Sequence, residues 1–260
     1  MTDTAPKTGR LLLVPAPLDF GEQAVPLEQV LPAHTLQTAA GLSHWICENA
    51  KSARAYLKRI DALYPLAQAM QALHIQELPR EVHKKGDHDA HRNNVGFDPA
   101  TLLAPALAGH DVGLLSEAGM PAVADPGASV VRAAHDLGLS VVPLVGPVSL
   151  LLALAASGLS GQNFAFVGYL PTDAIQRAQR IKALESLALK TGQTQIFIET
   201  PYRNSALLQA LLQNLEHNTR LSVSWGLTLP QARTLSASVK AFKRATDLPN
   251  DRPAVFAIGR

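Results

Sequence analysis

The chain has 260 residues, 47% of them hydrophobic and 17% charged, which is enough apolar material for one or two compact domains. The formal net charge of +2 leaves anionic partners open, and an aromatic content of 5% argues against a surface that stacks many single-stranded bases. No apolar run reaches the roughly 18–20 residues that span a membrane, residues 1–10 lack a secretion signal, and the single cysteine Cys47 excludes internal disulfides. These features predict a cytoplasmic protein.

Short apolar runs alternate with helical patterns along the chain, which is typical of an α/β fold. In the first half we predict strands at Leu11–Val14, His44–Cys47, Leu73–Leu78, Asp111–Ser116 and Ser140–Val145. Helices are predicted between them at Ala50–Leu63, Pro99–Ala108 and Ala128–Leu137. The strand, loop, helix and strand within residues 111–145 imply parallel pairing with a right-handed crossover.

The second half repeats the alternation, beginning with a helix that runs from Pro147 to about Ala156. The predicted strands are Phe164–Tyr169, Gln195–Thr200, Leu221–Gly226 and Ala254–Ile258, and the predicted helices are Asp173–Leu189 and Arg203–Leu215. We therefore expect two α/β domains, residues 10–146 and 147–260.

The loop between the fourth predicted strand and its helix is the first candidate site. Residues 115–127 read Leu-Ser-Glu-Ala-Gly-Met-Pro-Ala-Val-Ala-Asp-Pro-Gly. Ligands of open parallel sheets bind beyond the carboxyl ends of strands, and small residues let backbone amides approach a ligand. Glu117 and Asp125 could accept hydrogen bonds from hydroxyl or amino groups. On spacing alone, an ordinary strand-to-helix connection is the favoured explanation of the loop.

The segment Ser116–Gly127 resembles Ser-Asp-Ala-Gly-Thr-Pro-x-x-x-Asp-Pro-Gly, the signature of bacterial small-subunit ribosomal RNA ribose 2′-O-methyltransferases. These enzymes belong to the tetrapyrrole (corrin/porphyrin) methylase superfamily. Further segments resemble family motifs in the same order, namely Leu13–Pro17, Val142–Pro147, Ala155–Leu159, Gly168–Pro171 and Phe197–Arg203. The family's Ala-Glu-Asp-Thr-Arg motif stands here as Cys47–Lys51.

The resemblance implies a two-domain fold with S-adenosylmethionine in the cleft between the domains, and no metal. It also implies a homodimer that acts on ribosomal RNA or the small ribosomal subunit. Carried over residue by residue, the cofactor contacts fall on Pro15, Ser116, Glu117, Ala118, Gly119, Met120, Asp125, Ser149, Leu150 and Ile198.

Three residues are candidates for catalysis. Glu199 and Arg203 match the family's Glu-Ser-Pro-His-Arg and are expected to face the methyl acceptor, although an ion pair that ties a strand to a helix is the alternative. His91 matches part of a family His-x-His-Asn motif. It lies in a stretch rich in His and Asp, residues 83–91, whose spacing fits no standard zinc site, so we predict a solvated loop there.

Ribose methylation of ribosomal RNA is the leading functional hypothesis. The second hypothesis is a methyltransferase for a tetrapyrrole-like small molecule, which would suit a wide cleft with basic edges. The third is a relative that binds RNA or a ligand without turnover. Cys47 is predicted to be an inert buried thiol, and the basic residues Arg177, Arg180 and Lys182 to contact RNA phosphates or merely face solvent.

Overall fold

The computed structural model describes residues 8–19, 21, 25–79, 97–242 and 248–260. The chain divides into two compact units, Met1–Val148 and Ser149–Arg260, and each combines helices with its own sheet. Within the described ranges, no helix is long and apolar enough to cross a membrane.

The first unit is built on a five-stranded parallel sheet. Its strands are β1 (Arg10–Val14), β2 (His44–Cys47), β3 (His74–Glu77), β4 (Val112–Leu115) and β5 (Ser140–Pro143), in the spatial order β3-β2-β4-β1-β5. Its helices are α1 (Ala33–Ala40), α2 (Ala50–Asp61), α3 (Ala104–Leu107) and α4 (Ala128–Asp136). Short 3-10 helices cover Leu27–Gln29, Met70–Ala72 and Pro99–Leu103.

Both faces of this sheet are buried, as expected for parallel strands. Strand residues such as Leu12 and Trp45 pack on one face against α1 and α2. On the other face, Leu11 and Leu114 pack with Val130 of α4. The connection from β1 to β2 therefore runs over one face and the connection from β4 to β5 over the other.

The second unit holds a mixed sheet of β6 (Phe164–Tyr169), β7 (Thr194–Glu199), β8 (Arg220–Trp225), β9 (Arg233–Ser238) and β10 (Ala254–Gly259). The spatial order is β6-β7-β10-β8-β9, with β6 and β7 parallel and the other pairs antiparallel. Its helices are α5 (Ser149–Ser157), α6 (Ala174–Thr191), α7 (Asn204–Asn214) and α8 (Val239–Phe242). A core around Phe197 and Phe256 packs against α6 and α7.

Most predicted strands and long helices are present, with ends shifted by at most two residues. The prediction of one helix over Pro99–Ala108 is wrong, because a 3-10 helix there gives way to the short α3. Pro105 cannot donate the backbone hydrogen bond that a continuous α-helix would require. The strands β4 and β5 are parallel, but both pair with β1 and so do not pair with each other.

Candidate functional site

The loops that follow β1 and β4 lie side by side at one edge of the first sheet. Val14 is in register with Leu115, so these adjacent strands end at the same level. Their connections leave over opposite faces of the sheet, which makes this edge a topological switch point. Open α/β sheets bind ligands at such points.

A pair of backbone hydrogen bonds joins the two loops. Ala16 N donates to Gly119 O at 2.9 Å, and Gly119 N donates to Ala16 O at 3.0 Å. The preceding residue, Pro15, packs so tightly against Gly146 that a Cβ on this glycine would lie 2.3 Å from the proline ring. The first loop is therefore fixed from two sides.

The loop from Ser116 to Gly127, here called the ligand loop, has a strained backbone. Gly119 and Gly127 have φ values of 74° and 130°, and Ala122 and Ala124, which carry side chains, both have φ of 64°. Such conformations cost free energy for residues other than glycine and concentrate at functional sites. The strain points to a shape that serves a ligand.

Two side chains of α2 hold the first loop in place. The Tyr56 hydroxyl donates to Pro15 O at 2.9 Å. Arg59 forms an ion pair with the buried Asp19 at 2.9 Å and donates to Val25 O, also at 2.9 Å. Sequence reasoning missed both contacts, although a lone aspartate in an apolar segment needs a buried partner and could have signalled one.

The start of α2 also holds the ligand loop. The Ser52 hydroxyl donates to the Glu117 carboxylate at 2.5 Å, and Glu117 N donates to the Glu48 carboxylate at 3.3 Å. Asn49 caps α2 by accepting from Lys51 N at 2.9 Å. An asparagine thus supplies the capping oxygen where the family motif has an aspartate.

Three carboxylates influence one another at this edge. Burial, together with the charges of Glu48 and Glu117, raises the pKa of Asp125 to about 7. Its carboxyl group therefore changes charge near neutral pH. In the described part of the chain, no group of His, Cys, Asp and Glu side chains has the arrangement of a metal site.

The hydroxyl of Ser116 is a buried polar group that is suited to contact a ligand. Ser116 is 4% exposed, and its Oγ finds no hydrogen-bond partner among the described residues. A buried polar atom without a partner is unfavourable unless a ligand or water satisfies it. The neighbouring Ala118 and Met120 are half-buried and leave the backbone of the loop approachable.

In the second unit, Glu199 and Arg203 form an ion pair of 2.9 Å between Oε2 and Nη2. Glu199 ends β7 and is 2% exposed, whereas Arg203 immediately precedes α7. The other Glu199 oxygen accepts from Thr200 N at 2.8 Å. Of the other predicted contacts in this unit, Ser149 begins α5, Leu150 is buried, and Ile198 is half-buried on β7.

Of two further sequence interpretations, only the one on Cys47 falls on described residues. His91 and the other histidines and aspartates of residues 83–91 lie outside the described residues. Cys47 is buried and free at the end of β2, and burial raises the pKa of its thiol to about 12. A thiol in that state is unreactive at neutral pH, as predicted.

Fold and site together describe an α/β protein with a strained ligand loop at a switch point. A profile of the tetrapyrrole (corrin/porphyrin) methylases matches residues 45–242, which is most of the chain. The chain therefore belongs to the tetrapyrrole methylase family, as the motifs predicted.

Two curated relatives carry the name ribosomal RNA small subunit methyltransferase I. The protein from Mesorhizobium japonicum is 38% identical over 138 residues, which cover 53% of this chain and 46% of that protein. The protein from Bacillus subtilis is 34% identical over 161 residues, which cover 61% of this chain and 52% of that protein. The chain thus spans about half the length of the curated relatives it matches.

Solved structures share the fold at low sequence identity. The methyltransferase CobJ aligns with a TM-score of 0.57 and 17% identity, over 97% of this chain and 95% of that one. The native uroporphyrin III C-methyl transferase from Thermus thermophilus aligns with a TM-score of 0.52 and 19% identity, over 97% and 98% of the two chains. These likenesses confirm the predicted fold class.

The raised pKa of Asp125 gives a testable pH dependence. The folded protein retains this proton up to about pH 7, whereas the unfolded chain releases it near the ordinary pKa of 3.8. The carboxyl group therefore favours folding at low pH, and this contribution is lost as the pH rises from about 4 to 7. Asp125→Asn should gain stability relative to the wild type between pH 5 and pH 8, measured by urea unfolding without ligand. A difference that stays constant over this range would contradict the assignment.

Proposed function

We propose that this protein is an S-adenosylmethionine-dependent methyltransferase that methylates a ribose 2′-hydroxyl of small-subunit ribosomal RNA. The observation that carries the proposal is the ligand loop, which combines the family signature with a strained backbone and an unsatisfied buried hydroxyl at Ser116. The names of the curated relatives support the RNA substrate. The family resemblance alone supports a homodimer, and the sequence features described above support a place in the cytoplasm.

The described residues of the first unit fit such a cofactor. When bound, S-adenosylmethionine supplies a methyl group activated by a positive sulfur. Ser116 Oγ and the backbone amides near Gly119 are suited to its polar ends. The carboxylates Glu117 and Asp125 can accept hydrogen bonds from its hydroxyl and amino groups and offset its positive charge. Pro15 packs closely against Gly146 and so fixes the first loop beside the ligand loop.

The second unit offers groups for the acceptor. The ion pair holds the Arg203 guanidinium in one orientation, and its planar fork can bind a phosphate with two parallel hydrogen bonds. In this proposal Glu199 orients the arginine with which it is paired or accepts a proton from the attacking hydroxyl. A ribose hydroxyl has a high pKa, so its attack would gain from such a base. The main demand on the protein is alignment of the reacting atoms.

A substitution at Gly119 tests whether the ligand loop binds the cofactor. A Cβ at this residue would lie 3.2 Å from Leu18 in a backbone with φ of 74°, so Gly119→Val should distort the ligand loop. We expect affinity for S-adenosylmethionine to fall at least about tenfold, or about 1.4 kcal/mol, by calorimetry. Gly161→Val is the matched control, because a Cβ there meets no atom within 4 Å. Absence of binding by the folded wild type would overturn the proposal.

Arg203→Lys and Glu199→Gln test the acceptor side. Lysine keeps the charge but loses the planar fork, so single-turnover methyl transfer should slow by about tenfold or more, equivalent to about 1.4 kcal/mol. Glu199→Gln keeps the shape and removes the charge, and it should also slow transfer. Cofactor affinity should stay unchanged in both variants. Arg10→Lys, which alters an exposed ion pair with Asp111, is the control.

Transfer by both variants at the wild-type rate would show that the pair is structural. Joint loss of stability and cofactor binding would lead to the same conclusion, because the damage would then lie in the fold.

A further inference from the structure

The helix α2 presents a basic face to solvent. Lys51, Arg54 and Lys58 follow one another at intervals of three and four residues, which places them on the same side of a helix. All three are exposed, whereas Leu57 and Ile60 on the opposite side are buried in the core. With a rise of 1.5 Å per residue, the two lysines lie roughly 10 Å apart along the helix axis.

The cations of this basic face form no ion pair with any other described residue. In the part of the chain that the structure describes, the ion pairs within 4.0 Å involve Arg10, Arg59, Arg203 and Arg252, and none involves a cation of this face. The single acidic residue of α2, Asp61, accepts instead from Leu66 N at 3.0 Å. Arg59 belongs to the same helix but is committed to Asp19.

The position of Lys51 is unfavourable for the helix itself. The first turn of α2 contains no acidic residue, although the positive end of the helix dipole favours acidic side chains there. A lysine in this turn adds like charge to the same end. The negative charge at this helix end comes from outside the helix, since Glu77 accepts from Ala50 N at 2.6 Å. Lys51 is therefore not needed for helix stability, and its side chain is exposed to solvent.

The basic face begins beside the ligand loop. Ser52, next in sequence to Lys51, donates its hydroxyl to Glu117 at 2.5 Å. The first turn of α2 is thereby held against the loop assigned to the cofactor. A polyanion lying along α2 from Lys58 to Lys51 would arrive at that loop.

We infer that the face formed by Lys51, Arg54 and Lys58 binds the phosphate backbone of the RNA substrate and guides it to the ligand loop. The inference rests on the proposed function. The planar guanidinium of Arg54 can bind one phosphate with two hydrogen bonds, and the two lysines add positive charges on either side. The basic residues of α6 are the alternative surface. Arg177 donates to Thr172 O at 3.2 Å and Arg54 donates to Ala50 O at 3.4 Å, so these backbone contacts do not distinguish the two helices and α6 serves as the control.

The test compares two triple variants. One carries Lys51→Gln, Arg54→Gln and Lys58→Gln, and the control carries Arg180→Gln, Lys182→Gln and Lys190→Gln on the exposed surface of α6. Both lose three positive charges. Affinity for fluorescently labelled small-subunit ribosomal RNA, transcribed in vitro, is measured by anisotropy from 50 to 200 mM salt. Calorimetry with S-adenosylmethionine monitors the cofactor site.

The affinity of the α2 variant for the RNA should be lower than that of the wild type by about tenfold or more. The slope of log affinity against log salt should also become smaller by about 2, because each of three lost phosphate contacts contributes roughly 0.7 on a single strand. Its affinity for the cofactor should be unchanged, and the α6 variant should bind RNA like the wild type. Equal losses in both variants, or a greater loss in the α6 variant, would overturn the inference and leave the proposed function intact. A wild type that binds the cofactor but not the RNA would overturn the RNA substrate and this inference together.

Discussion

The candidate site depends on the two backbone hydrogen bonds between Ala16 and Gly119. They join the loops after β1 and β4, which the parallel sheet brings side by side and which would otherwise leave in opposite directions. Gly119 makes this possible, because a φ of 74° costs little only for glycine. The contact of Pro15 with Gly146 and the hydrogen bond from Tyr56 keep the first loop in register. The strained ligand loop can hold its shape only against such a fixed neighbour.

Charge is distributed unevenly around the two hydrogen bonds that join Ala16 and Gly119. The ligand loop carries Glu117 and Asp125, with Glu48 close enough to raise the pKa of Asp125 to about 7. The neighbouring helix α2 turns an exposed row of cations to solvent. A cofactor with a positive sulfur suits the acidic loop, and a polyanionic substrate suits the basic helix. The hydrogen bond from Ser52 to Glu117 places these two regions next to each other.

The sequence was informative where a pattern is local. Alternation of apolar runs with helical spacing located the strands of both sheets except β9, whose Arg-Thr-Leu-Ser-Ala-Ser sequence is too polar to predict a strand. The helix α1 was missed for a similar reason, because Leu36 is its one large apolar residue. The site loop was found from its position after β4 and from its motif. Strand order could not be predicted, since it depends on contacts between residues far apart in sequence.

The same limit applies to partners within the site. Asn49 stands where the family motif has an aspartate, and the structure shows that its side-chain oxygen caps α2. Asp19 pairs with Arg59, forty residues away, and only the fold reveals this partner. Glu199 and Arg203 were predicted as a pair because they match a family motif, and the structure brings them into direct contact.

Methyl transfer to its substrate tests the account most directly. Small ribosomal subunits, prepared from cells that lack this protein, are incubated with the purified chain and S-adenosylmethionine carrying a labelled methyl group. The RNA is then digested to nucleosides and the label is mapped. The account predicts label on the ribose oxygen of small-subunit ribosomal RNA. A chain that binds the cofactor but leaves the RNA unlabelled, or that labels a small molecule instead, would contradict it.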